Sequence, residues 1–204
     1  MIDIKIRLED VQDYNEVEMV ARAAFYRVER IKEIGIGCTE HYMIHELRNR
    51  EGINDLSFVA ILDEKIVGHV IYSYSYIFKD NGKRIETLNL GPLSVLPEFQ
   101  KQGIGSMLIR FSINRARELG YGAIIFFGHP TYYPRFGFVE AKNFGITTAW
   151  GANYPAFMAM ELINGYLKDA QGKYFEADIY DEDKTKEPSK EYDKLFIINN
   201  DIVT

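Results

Sequence analysis

The chain has 204 residues, 47% apolar and 26% charged, with a net charge of −6 and a pI near 5.3, enough for one domain with a sizeable core. The acidic balance argues against a nucleic-acid partner, which asks for a basic face, and is compatible with a cationic amine as substrate. A single cysteine, Cys38, excludes an internal disulfide and fits a cytoplasmic, reducing setting, and no run of about 18 apolar residues predicts a membrane span.

The opening "MIDIKIRLED" alternates Ile2, Ile4, Ile6 and Leu8 with charged residues and predicts a strand with one buried face, not an apolar leader. Behind the capping candidates Asp10 and Asp13, the apolar residues from Val11 to Phe25 recur at helical spacing and predict one helix reaching about Val28. "GIGC" breaks the pattern, and Thr39 is placed to cap a second helix running to about Arg50. Residues 57–95 predict a three-stranded antiparallel meander, with turns near Asp63–Lys65 and at Asp80-Asn81-Gly82.

A long amphipathic helix then closes at Gly120, followed by a short buried strand over 123–127. A short helix over 131–136 and strands at "GFVEA" and "PAFMAMEL" complete a core assigned to residues 1–164. Residues 165–204 read as a C-terminal extension, with strand-like pieces around Gly172. Its stretch 181–194 has six acidic and four basic residues and reads as a solvated linker or mobile loop. The apolar tail "LFIINNDIV" is suited to docking on the body or on a second copy in a homodimer. An order of β-α-α-β-β-β-α-β-α-β-β gives an α/β chain with a mixed sheet.

One stretch departs from ordinary helix chemistry. In "PEFQKQGIGSMLI", Gly103 and Gly105 stand at the start of a helix, where glycine weakens it. The first N–H groups of a helix lack internal partners and its dipole favours an anion, so bare glycines there clear space for a phosphate. The dinucleotide fingerprint fails, since Leu108 stands where its third glycine belongs, and the Gly-Lys-Ser/Thr ending of a Walker loop is absent. A dinucleotide-binding protein is disfavoured on that ground and by the antiparallel meander.

What fits is Q/R-x-x-G-x-G/A, with Gln100, Gly103 and Gly105 directly after the strand ending "PLSV". This resembles the coenzyme A pyrophosphate loop of the GNAT N-acetyltransferase superfamily. A second stretch, "GHPTYYPRFGFVEA", sets Tyr133 four residues before Gly137-Phe138, similar to that superfamily's second signature; with "FMAMELINGYL" it resembles the YhbS-like branch. The resemblance spans roughly residues 1–180.

It implies a GNAT fold, whose central mixed sheet, flanked by helices, splays between the strand ending at Val95 and the strand 123–127. Acetyl-CoA is the implied co-substrate, with no metal. Its pantetheine arm is expected on the backbone of Leu93, Ser94 and Val95, and its pyrophosphate on the loop Gln100, Lys101, Gln102, Gly103, Ile104, Gly105 and Ser106.

Direct transfer to a primary amine needs a neutral amine, an oxyanion donor and a proton for the leaving thiolate. Tyr133, a phenol protonated at neutral pH, is the candidate acid. Glu86, on the strand before the glycine loop, is a candidate base, although counting along the strand turns Thr87 to the thioester. His129 is a second candidate base, with a turn histidine held by its neighbours as the plainer reading. Among the other residues, His41 and His45 stand at i, i+4 without a third metal ligand and read as a surface or acceptor-side pair. Cys38 reads as a small buried or cap-adjacent residue, Tyr132 as packing or pocket wall, and Trp150 and Tyr154 as walls of an acceptor pocket or as packing on their own strands. The expected function is an acetyl-CoA-dependent N-acetyltransferase acting on a small-molecule amine, with an acyl-CoA-binding sensor that has lost turnover as the alternative.

Overall fold

The alternation at the N-terminus produces a strand, with Ile4 and Ile6 half-buried between the exposed Asp3 and Lys5 as expected, the pattern departing only at Arg7 and Leu8. The computed structural model describes residues 3–200, with the backbone alone for 197–200, and the chain divides into two compact units. Ile2 of the expected strand lies outside the described residues. The first unit takes the residues up to Ile71, Pro92–Leu108, and those from Asp178 on.

Here β1 (Lys5–Leu8) pairs antiparallel with β2 (Phe58–Leu62), and β2 pairs antiparallel with the start of β3 (Lys65–Phe78). Leu8 is 42% exposed, while Arg7 is half-buried because its guanidinium pairs with Asp13. The β2–β3 turn falls at the expected place. Asp63 and Glu64 take φ of +48° and +64°, the left-handed pair whose twist suits a two-residue hairpin.

The single first helix expected here is two, α1 (Tyr14–Phe25) and α2 (Val28–Ile34). Tyr26 leaves the helix at ψ 125° and lays its ring where a Cβ on Gly37 would stand, 2.4 Å away. The Arg27 N–H then donates to the Gly37 carbonyl at 3.0 Å. Tertiary packing thus ends a helix that propensity alone would continue. Asp10 makes a capping box on a 3-10 turn at Val11–Asp13, whereas the Asp13 carboxylate accepts from Arg7 and from the Asp10 N–H instead of capping α1. Thr39 precedes α3 (Glu40–Asn49) without a side-chain cap.

The largest correction concerns residues 181–194, which are not a loop: all but Asp181 belong to α5 (Glu182–Asn200). Its polar residues have specific partners. Asp193 accepts from Arg22 on α1 at 2.7 Å and lies 3.2 Å from His41 Nε2 on α3; the Tyr192 hydroxyl donates to Glu18 at 2.6 Å; Glu182 pairs with Arg30. Lys–acid pairs at i, i+3, such as Glu187–Lys190 and Glu191–Lys194, support its outer face. Phe196 is buried and Leu195 exposed; residues 201–203 of the expected docking tail lie outside the described residues.

Beneath α3, the buried Arg48 guanidinium bridges the buried carboxylates of Glu9 and Glu18, at 2.5 and 2.6 Å. Burial works to raise the Glu9 carboxyl, but hydrogen bonds and charge from His69 and Arg48 hold it at about 2.

The second unit takes Tyr72–Gly91 and Ile109–Ala177. The rest of β3 turns at Asp80–Gly82 into β4 (Arg84–Val95), as expected from the sequence; Asn81 Oδ1 accepts from the Lys83 N–H and Gly82 takes φ +80°. β5 (Ala123–Phe127) runs parallel to β4, with the register pair Leu88–Ile124, and antiparallel to β8 (Phe157–Glu161), which also pairs with β6 (Val139–Glu140).

β7 (Ile146–Thr148) is a strand the sequence did not announce. It runs parallel to β9 (Gly172–Phe175), which pairs antiparallel with β3 through Tyr76–Phe175. The sheet is therefore mixed, as expected. Ile77, Ile125, Ile146, Phe157, Leu167 and Tyr174 anchor the core of this unit. Helix α4 (Ile104–Glu118) ends before Gly120, at φ +83°. Among the described residues no helix is long and apolar enough to cross a membrane.

Candidate functional site

The phosphate-loop candidates lie in the first unit. After β4, a 3-10 turn at Pro97–Phe99 leads to Gln100, whose side-chain amide donates to the Val95 carbonyl at 3.0 Å; Gln102 donates likewise to the Glu98 carbonyl at 2.9 Å. Both glutamines thus shape the turn with their side chains. Lys101 is held at φ +61° and Gly103 at φ +92°. A left-handed residue is cheap only for glycine, and a Cβ on Gly103 would meet nothing within 4 Å, so the backbone is bare and open just where α4 begins.

Ile104 and Leu108 are buried against β3 at Gly68, where an added Cβ would meet Ser94 O at 3.1 Å and Leu108 Cδ1 at 3.2 Å. This close contact sets the first turn of α4 beside the end of β4. On that strand Leu93 and Val95 are half-buried, and Ser94 is buried with its hydroxyl lacking a hydrogen-bond partner among the described residues. A buried hydroxyl left unpaired costs about 1–3 kcal/mol, so it marks a place where an outside group would be welcome. The open backbone at the start of α4 fits a phosphate-bearing ligand.

The second unit holds the proposed chemistry residues. Tyr133 opens a 3-10 turn, Tyr133–Phe136, that ends at Gly137 with φ +100°. Its ring is seated edge-on against Phe126 at 4.6 Å and Phe138 at 5.8 Å, and directly over Gly128, where a Cβ would come within 2.5 Å of Tyr133 Cδ2. The phenol is pushed up from its ordinary value, chiefly by burial, so it stays protonated across the neutral range. Its hydroxyl makes no hydrogen bond among the described residues.

His129 is exposed and turned into its own loop. Nδ1 stands 3.0 Å from Thr131 Oγ1 and accepts from the Thr131 N–H at 3.4 Å, while its carbonyl receives the Tyr132 and Tyr133 N–H groups. Glu86 is an exposed residue of β4, and its carbonyl accepts from the Tyr166 hydroxyl at 2.8 Å. Neither side chain is hydrogen-bonded to the Tyr133 hydroxyl. Thr87 and Asn89, by contrast, are buried on the other face of β4. Thr87 Oγ1 lies 2.8 Å from Ser75 Oγ, and Asn89 donates to Glu176 at 2.9 Å. No motif marks Glu176; a lone glutamate just past a strand reads by default as solvated.

The histidine pair on α3 is not a surface pair. His41 is fully buried, its Nδ1 3.3 Å from Cys38 Sγ, and His45 Nδ1 lies 2.9 Å from the Tyr192 hydroxyl. Both are taken up in the contacts of α5. Trp150 and Tyr154 are exposed and hydrogen-bonded to each other at 3.3 Å. Among the described residues no group of three or more His, Cys, Asp or Glu is placed to hold a metal ion.

A strand–turn–helix with a bare left-handed glycine, a mixed sheet, and a tyrosine seated before Gly-Phe are features of an acetyltransferase. The sequence pattern of the acetyltransferase (GNAT) family matches residues 21–138, more than half of the chain, and the chain belongs to that family. It is similar to the uncharacterized N-acetyltransferase YhbS of Escherichia coli strain K12, with 28% identity over 134 residues, 65% of this chain and 78% of that protein. It is also similar to the uncharacterized N-acetyltransferase YjhQ of the same strain, 40% identical over 83 residues, 41% of this chain and 45% of that one.

Two solved structures share the fold. That of the E. coli GNAT family N-acetyltransferase YhbS in complex with CoA has a TM-score of 0.74 at 23% identity, covering 89% of this chain and 93% of its own. That of a GNAT family acetyltransferase from Brucella melitensis in complex with acetyl-CoA has a TM-score of 0.64 at 27% identity, covering 88% and 99%.

Proposed function

We propose that the protein transfers the acetyl group of acetyl-CoA to a primary amine by direct attack, without a covalent enzyme intermediate. The observation that carries this reading is the run from Ser94 to Ile104: a buried strand hydroxyl without a partner, then a bare left-handed glycine opening a long helix. The backbone of Leu93, Ser94 and Val95 takes the pantetheine arm by strand-like pairing. The loop from Gln100 to Ser106 takes the pyrophosphate on N–H groups and the helix dipole. Coenzyme-bound relatives of the same fold support the choice of ligand.

Tyr133 is the acid for the departing thiolate. Its burial keeps the phenol protonated and its hydroxyl is uncommitted within the described residues, as a donor reserved for a ligand needs to be. A second reading, a coenzyme-binding relative without turnover, draws on the exposure of Glu86 and the self-contained loop of His129, which leave both expected bases without a buried carboxylate or imidazole at work.

One experiment separates the readings. Thermal denaturation with acetyl-CoA, NAD and ATP in turn should show stabilisation by acetyl-CoA alone. Free thiol should then appear with n-butylamine as acceptor and fall by about 10²-fold or more in Tyr133→Phe. Stabilisation without thiol release would select the sensor; no stabilisation would overturn both.

A further inference from the structure

We propose that Glu176 is the catalytic base of the acetyl transfer, taking the proton from the attacking amine nitrogen; the inference rests on the acetyl-CoA reading above. The carboxylate stands one residue past the Tyr76–Phe175 register pair of β3 and β9, and one of its oxygens accepts from Asn89 Nδ2 at 2.9 Å. Asn89 is a buried residue of β4, two along from Thr87 and therefore on the same face of the strand. Sequence counting turned that face, at Thr87, toward the thioester. It is lined with buried polar groups, Ser75, Thr87 and Asn89, in the middle of a sheet, where polar groups are costly unless they have work.

Thr87 and Ser75 satisfy each other at 2.8 Å, which leaves the Glu176 carboxylate as the acidic group tied to this face. Glu86 belongs to the opposite face of β4 and is exposed. The second Glu176 oxygen makes no hydrogen bond among the described residues. Burial raises the Glu176 carboxyl to about 7, against the lowering effect of the Asn89 amide. A base poised near the working pH accepts a proton and gives it up again with comparable ease.

The step balances as follows. The neutral amine nitrogen forms a bond to the thioester carbonyl carbon, and its extra proton passes to the Glu176 carboxylate. The carbon–sulfur bond breaks, the electron pair leaves with sulfur, and sulfur takes the proton of the Tyr133 phenol. Glu176 then releases its proton to water and Tyr133 regains one from water. The products are the N-acetylated amine and CoA with a free thiol.

The test compares wild type, Glu176→Gln and Glu176→Asp by acetyl-CoA thermal shift and by thiol release with n-butylamine and with 2,2,2-trifluoroethylamine, a far weaker base. All three proteins are expected to be stabilised equally by acetyl-CoA. Glu176→Gln should lose about 10²-fold or more in rate with n-butylamine. It should lose less with trifluoroethylamine, whose ammonium intermediate sheds its proton to water readily, and Glu176→Asp should regain part of the rate. With trifluoroethylamine, which is already neutral near pH 7, the wild-type rate should rise with pH through about 7, because the base must be ionised; in Glu176→Gln that limb should vanish. Equal losses with both amines, or a pH limb retained with trifluoroethylamine in Glu176→Gln, would overturn the assignment. So would a wild type that binds acetyl-CoA yet releases no thiol with either amine. If wild type were not stabilised at all, the acetyl-CoA reading itself would fall.

Discussion

Replacing Gly128 by alanine is the sharpest way to ask whether the position of Tyr133 matters. The added Cβ would stand 2.5 Å from Tyr133 Cδ2 and 2.6 Å from Phe126 Cε2. Comfortable carbon–carbon contact begins near 3.5 Å, so about 1 Å of room has to be found. Phe126 is 2% exposed and already packed edge-on to the buried Phe138 at 5.1 Å, so it has little freedom to move. Tyr133 is half-buried and at the start of a short turn, and it is the ring that yields.

A displacement of about 1 Å at a reacting group costs up to ~10²-fold in rate, while the overpacking itself costs about 1–3 kcal/mol of stability. In Gly128→Ala the turnover number for thiol release from acetyl-CoA with n-butylamine should therefore fall by about 10²-fold, with the coenzyme's affinity by calorimetry little changed. The double variant with Tyr133→Phe decides the cause. If the alanine acts by moving the phenol, it should cost almost nothing once the hydroxyl is gone. A full loss in both backgrounds, or a lower melting temperature with turnover intact, would refute the reasoning.

Other outcomes follow from the rest of the molecule. Gly103→Ala forces a side chain into φ +92° at a penalty of about 1–2 kcal/mol, so acetyl-CoA affinity measured by calorimetry should drop about tenfold. Arg48→Ala leaves Glu9 and Glu18 buried without their shared cation. A loss of about 3–5 kcal/mol is expected, seen by circular dichroism as a melting temperature lower by roughly 6–20 °C. Glu9 and Asp193 both ionise at about 2 when folded, against ordinary values of 4.5 and 3.8. Because folding depresses them, their contribution is complete above the unfolded values and disappears as pH falls toward 2. The melting temperature should therefore decline steadily as pH falls below about 4.5, and an unchanged melt at pH 3 would contradict the ion pairs assigned to these carboxylates.

Much of the architecture was legible because it rests on local signals. Asp80-Asn81-Gly82 supplies its own turn, the apolar face of α4 repeats at helical spacing, and the glycines at 103 and 120 mark its ends. What escaped was decided by partners distant in sequence. Helix α1 stops because Tyr26 finds Gly37. Helix α5 was hidden because the residues it buries, Thr185, Ser189 and Asp193, are polar and leave no apolar rhythm. His41 is interior for the same reason, since its counterpart, Asp193, lies on that unforeseen helix. The phosphate loop was readable from glycine spacing, and Tyr133 from its distance to Gly137-Phe138. Glu176 was not, because it meets Asn89 only once β9 has joined the sheet beside β3.

The lone sulfhydryl has a practical bearing on all of these measurements. Cys38 is wholly enclosed, its sulfur 3.3 Å from His41 Nδ1, and burial pushes its ionisation up to about 12. Disulfide dyes and maleimides, which require a thiolate, should thus see liberated coenzyme and stay blind to the native polypeptide. The same residue becomes a chromogenic gauge of opening: the rate at which it is modified, followed against denaturant, would report how often α3 and α5 come apart.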